Sequence, residues 1–262
     1  MDGIYPPCSC PCPQKGPKAL IAVNPQVQAV KSGQVLLPPG YDYYVLKYDN
    51  ENDLYPYARM EYAYSRMCKD AGIKMPDTEL RSFGGATHFL IRRFDRAGGE
   101  KVHMQSLRAM NGETGSYEEA FDVVERLGLD YEDKEQLFRR MVFNVIGGNI
   151  DDHDKNFSFL MDKRGRWSLA PAYDVVFSID PDTLYAQKGQ CMSINAKNQG
   201  IAINDLMAVA RHFSLHSPER VLEQIMDIVS RVEDYLRQDG VSEPAIHTIL
   251  SELNEKHAEL KG

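Results

Sequence analysis

A dense polar run lies between two apolar segments near the middle of the chain. Residues 147–159 read GGNIDDHDKNFSF, which places three aspartates, a histidine and a lysine within the eight positions from Asn149 to Asn156. The flanking segments, MVFNVI before it and NFSFL after it, are apolar. Unpaired charge is costly at the edge of a core, so this arrangement favours a functional cluster over a solvated turn.

Three interpretations of this cluster are open: a metal cage, a polar turn and a phosphoryl-transfer loop. Calcium loops alternate acidic positions around a central glycine and end in a distal glutamate, and the run lacks that pattern. Only one histidine is nearby, whereas the zinc-binding helix signature needs two. A self-contained metal loop is therefore disfavoured.

The spacing within the cluster agrees with phosphoryl transfer. Protein-kinase catalytic loops place an aspartate, which orients the attacking hydroxyl, four intervening residues before an asparagine that binds a divalent metal. Asp151 and Asn156 have this spacing, and Asp174 stands where a kinase needs its second metal-binding aspartate. Upstream, Lys47 on a predicted strand and Glu61 on the next predicted helix match the phosphate-binding lysine and its paired glutamate.

The N-terminal third of the chain is predicted to be a sheet with one helix. Residues 1–16 are rich in proline and cysteine and predict an irregular arm. KALIAV and YYVLKYD predict antiparallel strands, separated by turn signals. A helix is predicted over 57–71 and ends at Gly72, and a hairpin is predicted around Gly84-Gly85.

The rest of the chain is predicted to be mainly helical. SYEEAFDVVERLG and DKEQLFRRMVFNVIGGN have helical spacing, and a β-hairpin with a turn at Lys163-Arg164-Gly165 follows the polar run. Three further helices are predicted towards the end of the chain, the second of them continuous over SPERVLEQIMDIVSRVEDYLRQDG. Their predicted N-caps are Asn204, Ser217 and Ser242.

Together these elements predict an α+β, two-lobed, kinase-like fold. A small β-rich N-lobe is expected over residues 17–96 and a larger helical C-lobe over residues 97–262, with the irregular arm over residues 1–16 in front of them. A nucleotide would bind between the lobes.

Composition argues against several other classes of protein. The formal net charge of −8 disfavours direct binding to nucleic acid, which depends on clustered lysine and arginine. No apolar run approaches the roughly 18 residues that a membrane helix needs, and the start lacks the features of a secretory signal. The five cysteines lack the paired spacing of structural zinc sites. We therefore expect a cytoplasmic protein with reduced thiols.

With these residues in place, the sequence resembles the HipA family, serine/threonine kinases known as toxins of toxin–antitoxin pairs. The resemblance covers nearly the whole chain, and it is specific because RFDR, N-x-DDH-x-KN and L-x-PAYD occur in the family's order and spacing. The segments that carry it are GPKALI, VLKYD, RMEYAYSRMCKDAGIKMPD, FLIRRFDR, MVFNVIGGNIDDHDKNFSFL, WSLAPAYDV and CMSINAKNQGIAINDLMAVARHF.

The resemblance implies a complete set of kinase site residues, with ATP and magnesium as cofactors. Lys47 would contact the ATP phosphates, and the segment from Ile91 to Phe94 would be the hinge whose backbone meets adenine. The implied residues are Asp151 as the catalytic aspartate, Asn156 and Asp174 as magnesium ligands, and Lys18, Lys47, Glu61, Arg92, Phe94, His153, Lys155 and Tyr173 around the nucleotide.

The phosphate loop departs from the family pattern. Family members have a serine and paired small residues there, whereas this chain has CSCPCPQKGPKA, in which Ser9 is out of register and only Gly16 remains. Proline has no backbone N–H, so Pro11, Pro13 and Pro17 cannot contribute to a cradle of amides. Family toxins also carry an additional N-terminal subdomain, which we expect to be absent from this chain; either a separate protein supplies it or the chain is a degraded copy.

The expected function is transfer of the ATP γ-phosphate to a protein serine or threonine. The resemblance implies an aminoacyl-tRNA synthetase as a candidate substrate and a HipB-like antitoxin as a partner. Two alternatives stay open. A catalytically weak pseudokinase would act as a partner-binding module, and a small-molecule phosphotransferase would use the same residues.

Overall fold

The computed structural model describes residues 18–27, 29–49, 55–83, 85–97, 100–179 and 189–260. The predicted irregular arm, including almost all of the altered phosphate loop, lies outside the described residues. The division into lobes at residues 96 and 97 stays a prediction. No helix in the described ranges combines the length and the apolar character that crossing a membrane requires.

An antiparallel sheet of five strands carries the first part of the chain. The register places Lys47 opposite Lys18 on one side and Phe89 on the other. Directly paired residues project from the same face, so the two lysines lie side by side. In chain order the strands are β1 (Lys18–Asn24), β2 (Ala29–Ser32), β3 (Asp42–Tyr48), β4 (Thr78–Phe83) and β5 (Ala86–Arg92), and in space β2-β1-β3-β5-β4.

One helix connects this sheet to the rest of the molecule. Helix α1 (Tyr57–Asp70) ends just before Gly72, which has a φ of +72°, as the sequence predicts. Its side chains Met60 and Met67 are fully buried in the main core. The hydroxyl of Tyr64 donates a 2.8 Å hydrogen bond to the carbonyl of Gly147. Helix α1 therefore ties the sheet to the start of the polar run.

The C-terminal part is helical, with two small sheets. Strands β8 (His103–Ser106), β9 (Ser158–Met161) and β10 (Trp167–Leu169) form a three-stranded sheet in the order β10-β9-β8, of which the sequence predicts only β9 and β10. The remaining elements are β6 (Arg96–Ala97), β7 (Glu100–Lys101), α2 (Leu107–Asn111), α3 (Tyr117–Arg126), α4 (Tyr131–Ile146), α5 (Ile203–His212), α6 (Pro218–Ser230), α7 (Val232–Gln238) and α8 (Glu243–Glu259).

Two details of the predicted C-terminal helices are wrong. Asn204 lies inside α5, whose N-cap is Ala202, because the carboxylate of Asp205 accepts the backbone N–H of Ala202 at 2.8 Å and caps the helix two residues earlier. The long helix after Ser217 breaks at Arg231, where the backbone donates to Ile228 three residues back. Tertiary packing outweighs helical continuity at this point.

Helix α4 runs through the centre of the molecule and delivers the polar run. The first half of the helix is mostly polar, and from Arg140 to Ile146 every side chain is buried. The helix ends in the paired glycines: Gly148 takes a φ of +71°, and the N–H of Asn149 bonds back to the carbonyl of Asn144 at 2.9 Å. This left-handed cap reverses the chain and starts the polar run inside the protein.

Gly148 should be difficult to replace for two separate reasons. An alanine there would have to adopt a left-handed backbone, and its Cβ would lie 2.9 Å from Leu253 Cδ2 and 3.1 Å from Phe177 Cδ2. Gly128 has a similar φ of +65° and no neighbouring atom within 4 Å. We expect Gly128→Ala to cost about 1 kcal/mol and Gly148→Ala about 3 kcal/mol of unfolding free energy, measured by urea denaturation. Equal losses would contradict the packing described here.

Candidate active site

The ammonium group of Lys47 on β3 lies between two carboxylates. Its Nζ is 2.6 Å from Glu61 Oε1 on α1 and also contacts Asp174 Oδ1 beyond β10. The structure therefore brings together three of the residues that the sequence singled out, from three separate elements. Lys18 is the cross-strand neighbour of Lys47 and adds a second positive charge on the same face.

One ammonium cannot compensate two carboxylates fully, and the pKa values in this group reflect that. Burial lowers the pKa of Lys47, but Glu61 and Asp174 outweigh burial and raise it above its ordinary value. Burial raises the pKa of Glu61 to about 7 despite the nearby Lys47. For Asp174, burial raises the pKa, yet the attraction of Lys47 dominates and lowers it. Asp174 is thus the carboxylate that stays ionised.

A pocket of about 410 Å³ opens beside this ion-paired group. Its size falls within the roughly 300–1,000 Å³ of small-molecule sites. Apolar side chains such as Leu20, Val45 and Ile91 line one part, and charged groups line the other. The predicted site residues that line it are Lys18, Lys47, Arg92, Phe94, Tyr173 and Asp174.

The segment after β5 forms one wall of the pocket. The ring centroids of Phe94 and Tyr173 lie 5.7 Å apart, and both residues line the pocket. The backbone N–H groups of Arg92 and Arg93 already donate to the carbonyls of Asp77 and Tyr43. The guanidinium of Arg92 forms a partly exposed ion pair with Asp42 at 2.5 Å. Its charge is therefore already paired, although Arg92 is one of the residues that line the pocket.

Asp151 and Asn156 lie in one buried loop after α4. The side-chain amide of Asn156 donates to the backbone carbonyl of Asp151 at 2.9 Å, and the N–H of Asp151 donates to the hydroxyl of Ser178 at 3.1 Å. The carboxylate of Asp151 lies 3.8 Å from Nε2 of His153 and 3.9 Å from Sγ of Cys191. The backbone that presents Asp151 is therefore fixed on both sides.

Asp152 and Asp154 stabilise this loop through contacts that face into the protein. Asp152 accepts hydrogen bonds from the hydroxyl of Tyr117 at 2.7 Å, the amide of Gln190 at 2.9 Å and the backbone of Cys191 at 2.7 Å. Burial raises the pKa of Asp152 to about 6 even so. Asp154 accepts from the backbone N–H of Thr114 at 3.0 Å and belongs to a pair with Arg108.

His153 and Lys155 are placed differently from the other predicted site residues. Neither side chain lines the 410 Å³ pocket, although the charge of His153 contributes to the lowered pKa of Asp174. Lys155 is exposed, and its backbone carbonyl accepts the hydroxyl of Tyr173 at 2.8 Å. Their expected contacts with a nucleotide stay predictions.

Several residues that hold the site were missed from the sequence. Tyr117, Ser178 and Gln190 each bind the polar run from distant parts of the chain. Lys256 on α8 adds a 3.0 Å hydrogen bond to Gln190. Only Ser178 stands out in the sequence, as a polar residue within VVFSI, whereas Tyr117 and Gln190 lie among other polar residues and give no signal of a shared partner.

The comparison with known families agrees with this geometry. Residues 16–236 match the sequence model of the HipA-like C-terminal domain, and the chain belongs to that family. A Haemophilus influenzae protein named "Putative kinase" is 27% identical over 246 residues, which cover 79% of this chain and 71% of that protein. "Putative kinase Y4mE" of Sinorhizobium fredii is 28% identical over 130 residues, covering 44% of this chain and 31% of its own.

A solved structure confirms the predicted two-lobed, kinase-like α+β fold. HipA of Shewanella oneidensis MR-1, in a complex with HipB and its operator DNA, superposes with a TM-score of 0.69 at 17% sequence identity. The match covers 93% of this chain and 62% of that chain. The family and the names of the relatives indicate a kinase.

Removing the Asp152 carboxylate should destabilise the protein strongly. Asp152→Ala leaves the buried hydroxyl of Tyr117 and the amide of Gln190 without their acceptor, so we expect a loss of about 3 kcal/mol of unfolding free energy. Asp227→Ala, which removes an exposed carboxylate on α6, should change it by less than about 0.5 kcal/mol. Urea midpoints measure both. A small effect of Asp152→Ala would mean that its hydrogen bonds are not essential to the loop.

The raised pKa of Glu61 predicts a pH dependence of stability. Between its ordinary value of 4.5 and about 7, the folded protein keeps a proton that the unfolded chain has lost. The unfolding free energy contributed by Glu61 should therefore fall as the pH rises through this window. In urea denaturation, the unfolding free energy of Glu61→Gln should fall less than that of wild type between about pH 5 and about pH 7.5. Parallel pH curves would refute the assignment.

Proposed function

We propose that the chain transfers the γ-phosphoryl group of ATP to a hydroxyl group, most simply that of a protein serine or threonine. One observation carries this proposal: Lys47 lies between Glu61 and Asp174 at the edge of a partly apolar pocket. A lysine paired with a helix glutamate and a metal-binding aspartate is the arrangement that protein kinases use. Membership in a family of kinase-named relatives supports it.

ATP would enter the 410 Å³ pocket with its adenine against the apolar walls. Phe94 and Tyr173 bound that part, while the amino groups of Lys18 and Lys47 lie where the phosphates would extend. Two adjacent ammonium groups attract a polyphosphate without depending on amides of the preceding loop. This is the simplest way in which the chain could hold ATP despite its prolines.

The donor set suits magnesium. Mg²⁺ prefers oxygen ligands and usually takes one or two from the protein, with phosphates and water completing the shell. Asp174 offers a carboxylate that stays ionised, and Asn156 uses its NH₂ group on Asp151, which leaves its amide oxygen as an acceptor. The described residues contain no group of three or more His, Cys, Asp or Glu side chains that could hold an ion alone. Bound magnesium would offset phosphate charge.

Asp151 would act on the acceptor hydroxyl. Its carboxylate would accept the hydroxyl proton as the acceptor oxygen bonds to the γ-phosphorus and the bond to the β-phosphate oxygen breaks, leaving ADP. Lys47 would exchange its contact with Asp174 for one with the phosphates, because the side chain of Asp174 is 35% exposed while that of Glu61 is 9% exposed. Glu61 would keep the ammonium in place throughout.

The biological setting follows by analogy. The structure of HipA from Shewanella oneidensis contains HipB and operator DNA. We infer that this chain is a toxin with a HipB-like antitoxin, and that nucleic-acid contact runs through the partner because the chain carries a net charge of −8. A cytoplasmic location and an aminoacyl-tRNA synthetase as substrate belong to the same proposal.

A pseudokinase is the second candidate, and the CSCPCPQKGPKA segment favours it. Three of its residues are prolines that precede Lys18 and cannot donate amides to phosphate. In that case the pocket would bind nucleotide weakly or not at all, and the protein would act through a partner. A small-molecule phosphotransferase would retain the chemistry and change the acceptor.

Replacing Asp151 tests the kinase proposal. Purified protein is incubated with magnesium, ATP labelled on the γ-phosphate and cell extract, and label is followed in protein and small-molecule fractions. We expect wild type to label protein and Asp151→Asn to transfer at least about 100-fold more slowly, as is typical when a catalytic acid or base is lost. ATP binding by calorimetry should change little.

Asp162→Asn is the matched control for that experiment. It makes the same chemical change in the exposed hairpin turn between β9 and β10, away from the pocket, and should transfer at the wild-type rate. ATP binding without Asp151-dependent transfer would contradict the kinase and support the pseudokinase. Label that appears only in small molecules would support the phosphotransferase.

A further inference from the structure

An arginine is buried in the helical core beneath the candidate active site. Arg140 on α4 is 3% exposed, and its Nη2 donates a 2.6 Å hydrogen bond to the carbonyl of Ala170. Its Nε and Nη1 have no hydrogen-bond acceptor among the described protein atoms. Burial lowers the pKa of Arg140 to about 10, so the group still carries its charge at neutral pH.

Such a group is not explained by stability. Burying a guanidinium with unpaired donors costs free energy, and apolar side chains of similar size often replace buried charges without loss. Within the described ranges, no carboxylate forms an ion pair with Arg140, whereas its neighbour Arg139 pairs with Glu135 at 2.8 Å. The position of Arg140 therefore suggests a role in placing the group that it contacts.

The contacted carbonyl belongs to the segment that presents Asp174. Residues Ala170 to Asp174 follow β10 and have no regular structure. Two backbone hydrogen bonds of 2.8 Å hold the segment: the N–H of Ala170 donates to the carbonyl of Ser158, and the N–H of Ala172 donates to the carbonyl of Lys74. At its end Asp174 has a φ of +53°, a left-handed conformation that a non-glycine residue keeps only when its surroundings hold it.

A small cavity connects the same arginine to the proposed metal ligands. It has a volume of about 10 Å³, and Arg140, Asn144, Asn156, Tyr173 and Asp174 are among the residues that bound it. This is about the space of one water molecule. A water there could accept from the guanidinium and donate to an oxygen of the loop, because Arg140, Asn156 and Asp174 all bound this cavity.

We propose that Arg140 is a positioning residue that holds the Ala170–Asp174 segment from below, through the Ala170 carbonyl and one water molecule in the 10 Å³ cavity. It keeps Asp174 in its left-handed conformation and in reach of Lys47. The placement of the segment is independent of any reaction. Its effect on phosphoryl transfer rests on the function proposed above.

Hydrogen–deuterium exchange measures this placement directly. In Arg140→Met, the hydrogen-bonded amides of Ala170 and Ala172 should exchange about tenfold to a hundredfold faster than in wild type, because a charge-assisted hydrogen bond that holds their segment is lost. The amides of α4 itself should be unchanged. The melting temperature should equal or exceed that of wild type, since a buried charge is removed.

Arg139→Met and Arg140→Lys are the matched variants. Arg139 lies on the same helix and also donates to a backbone carbonyl, that of Ala71 at 3.0 Å, but it lies away from the segment and its loss should leave residues 170–174 protected. Arg140→Lys keeps a charged donor for Ala170 and should return exchange towards the wild-type rate. Arg140→Leu repeats the apolar substitution with a different shape.

The outcomes separate this proposal from the kinase proposal. Unchanged exchange at residues 170–174, or equally faster exchange along α4, would overturn it. Failure of both apolar variants to fold would also overturn it, because Arg140 would then be required for folding and not for position. If the exchange results hold and wild type transfers no phosphate, the positioning role stands and the kinase proposal falls. With an active wild type, kcat of Arg140→Met should fall at least about tenfold.

Discussion

The ammonium group of Lys47 joins three parts of the chain that are distant in sequence. It lies on the central strand β3, contacts Glu61 on α1 and contacts Asp174 beyond β10, so the sheet, the helix and the C-terminal segment meet at one positive charge. Two carboxylates share it, and their burial differs. Glu61 is enclosed and takes up a proton readily, while Asp174 is more exposed and stays ionised. The contact of Lys47 with Glu61 is therefore enclosed in the protein, whereas its contact with Asp174 is more open to solvent.

The three aspartates of the polar run also differ in their surroundings. Asp152 and Asp154 turn into the protein, where Tyr117, Gln190 and Thr114 donate to them. The backbone of Asp151 is fixed by Ser178 and Asn156, and its carboxylate lies 3.8 Å from Nε2 of His153 and 3.9 Å from Sγ of Cys191. Two of the three aspartates therefore support the loop from within the protein, while the role of Asp151 as the catalytic aspartate belongs to the proposed function.

Local sequence signals predicted the elements that carry the site. The strand with Lys47, the helix with Glu61, the helix before the polar run and the hairpin before Asp174 are all confirmed, because strand propensity and helical period act over a few residues. The direct contact of Lys47 with Asp174 could be expected only from the resemblance to kinases, since 127 positions separate them.

Features that depend on tertiary contacts could not be predicted. Strand β8 pairs with an edge of β9, and Arg231 separates α6 from α7; no local sequence signal indicates either feature. Arg140 looks in the sequence like half of an ordinary Arg-Arg pair on a helix, and burial distinguishes it from Arg139 only in three dimensions. The hydrogen bonds of Asp152 likewise need partners 35 to 40 positions away.

A crystal structure with magnesium and a non-hydrolysable ATP analogue tests the central claim most directly. We expect adenine between the apolar walls near Phe94 and Tyr173, phosphates at Lys18 and Lys47, and a metal ion ligated by Asp174 and Asn156. Lys47 should still contact Glu61 and should have left Asp174. A nucleotide bound elsewhere, or an unbroken Lys47–Asp174 contact with nucleotide in the pocket, would contradict it.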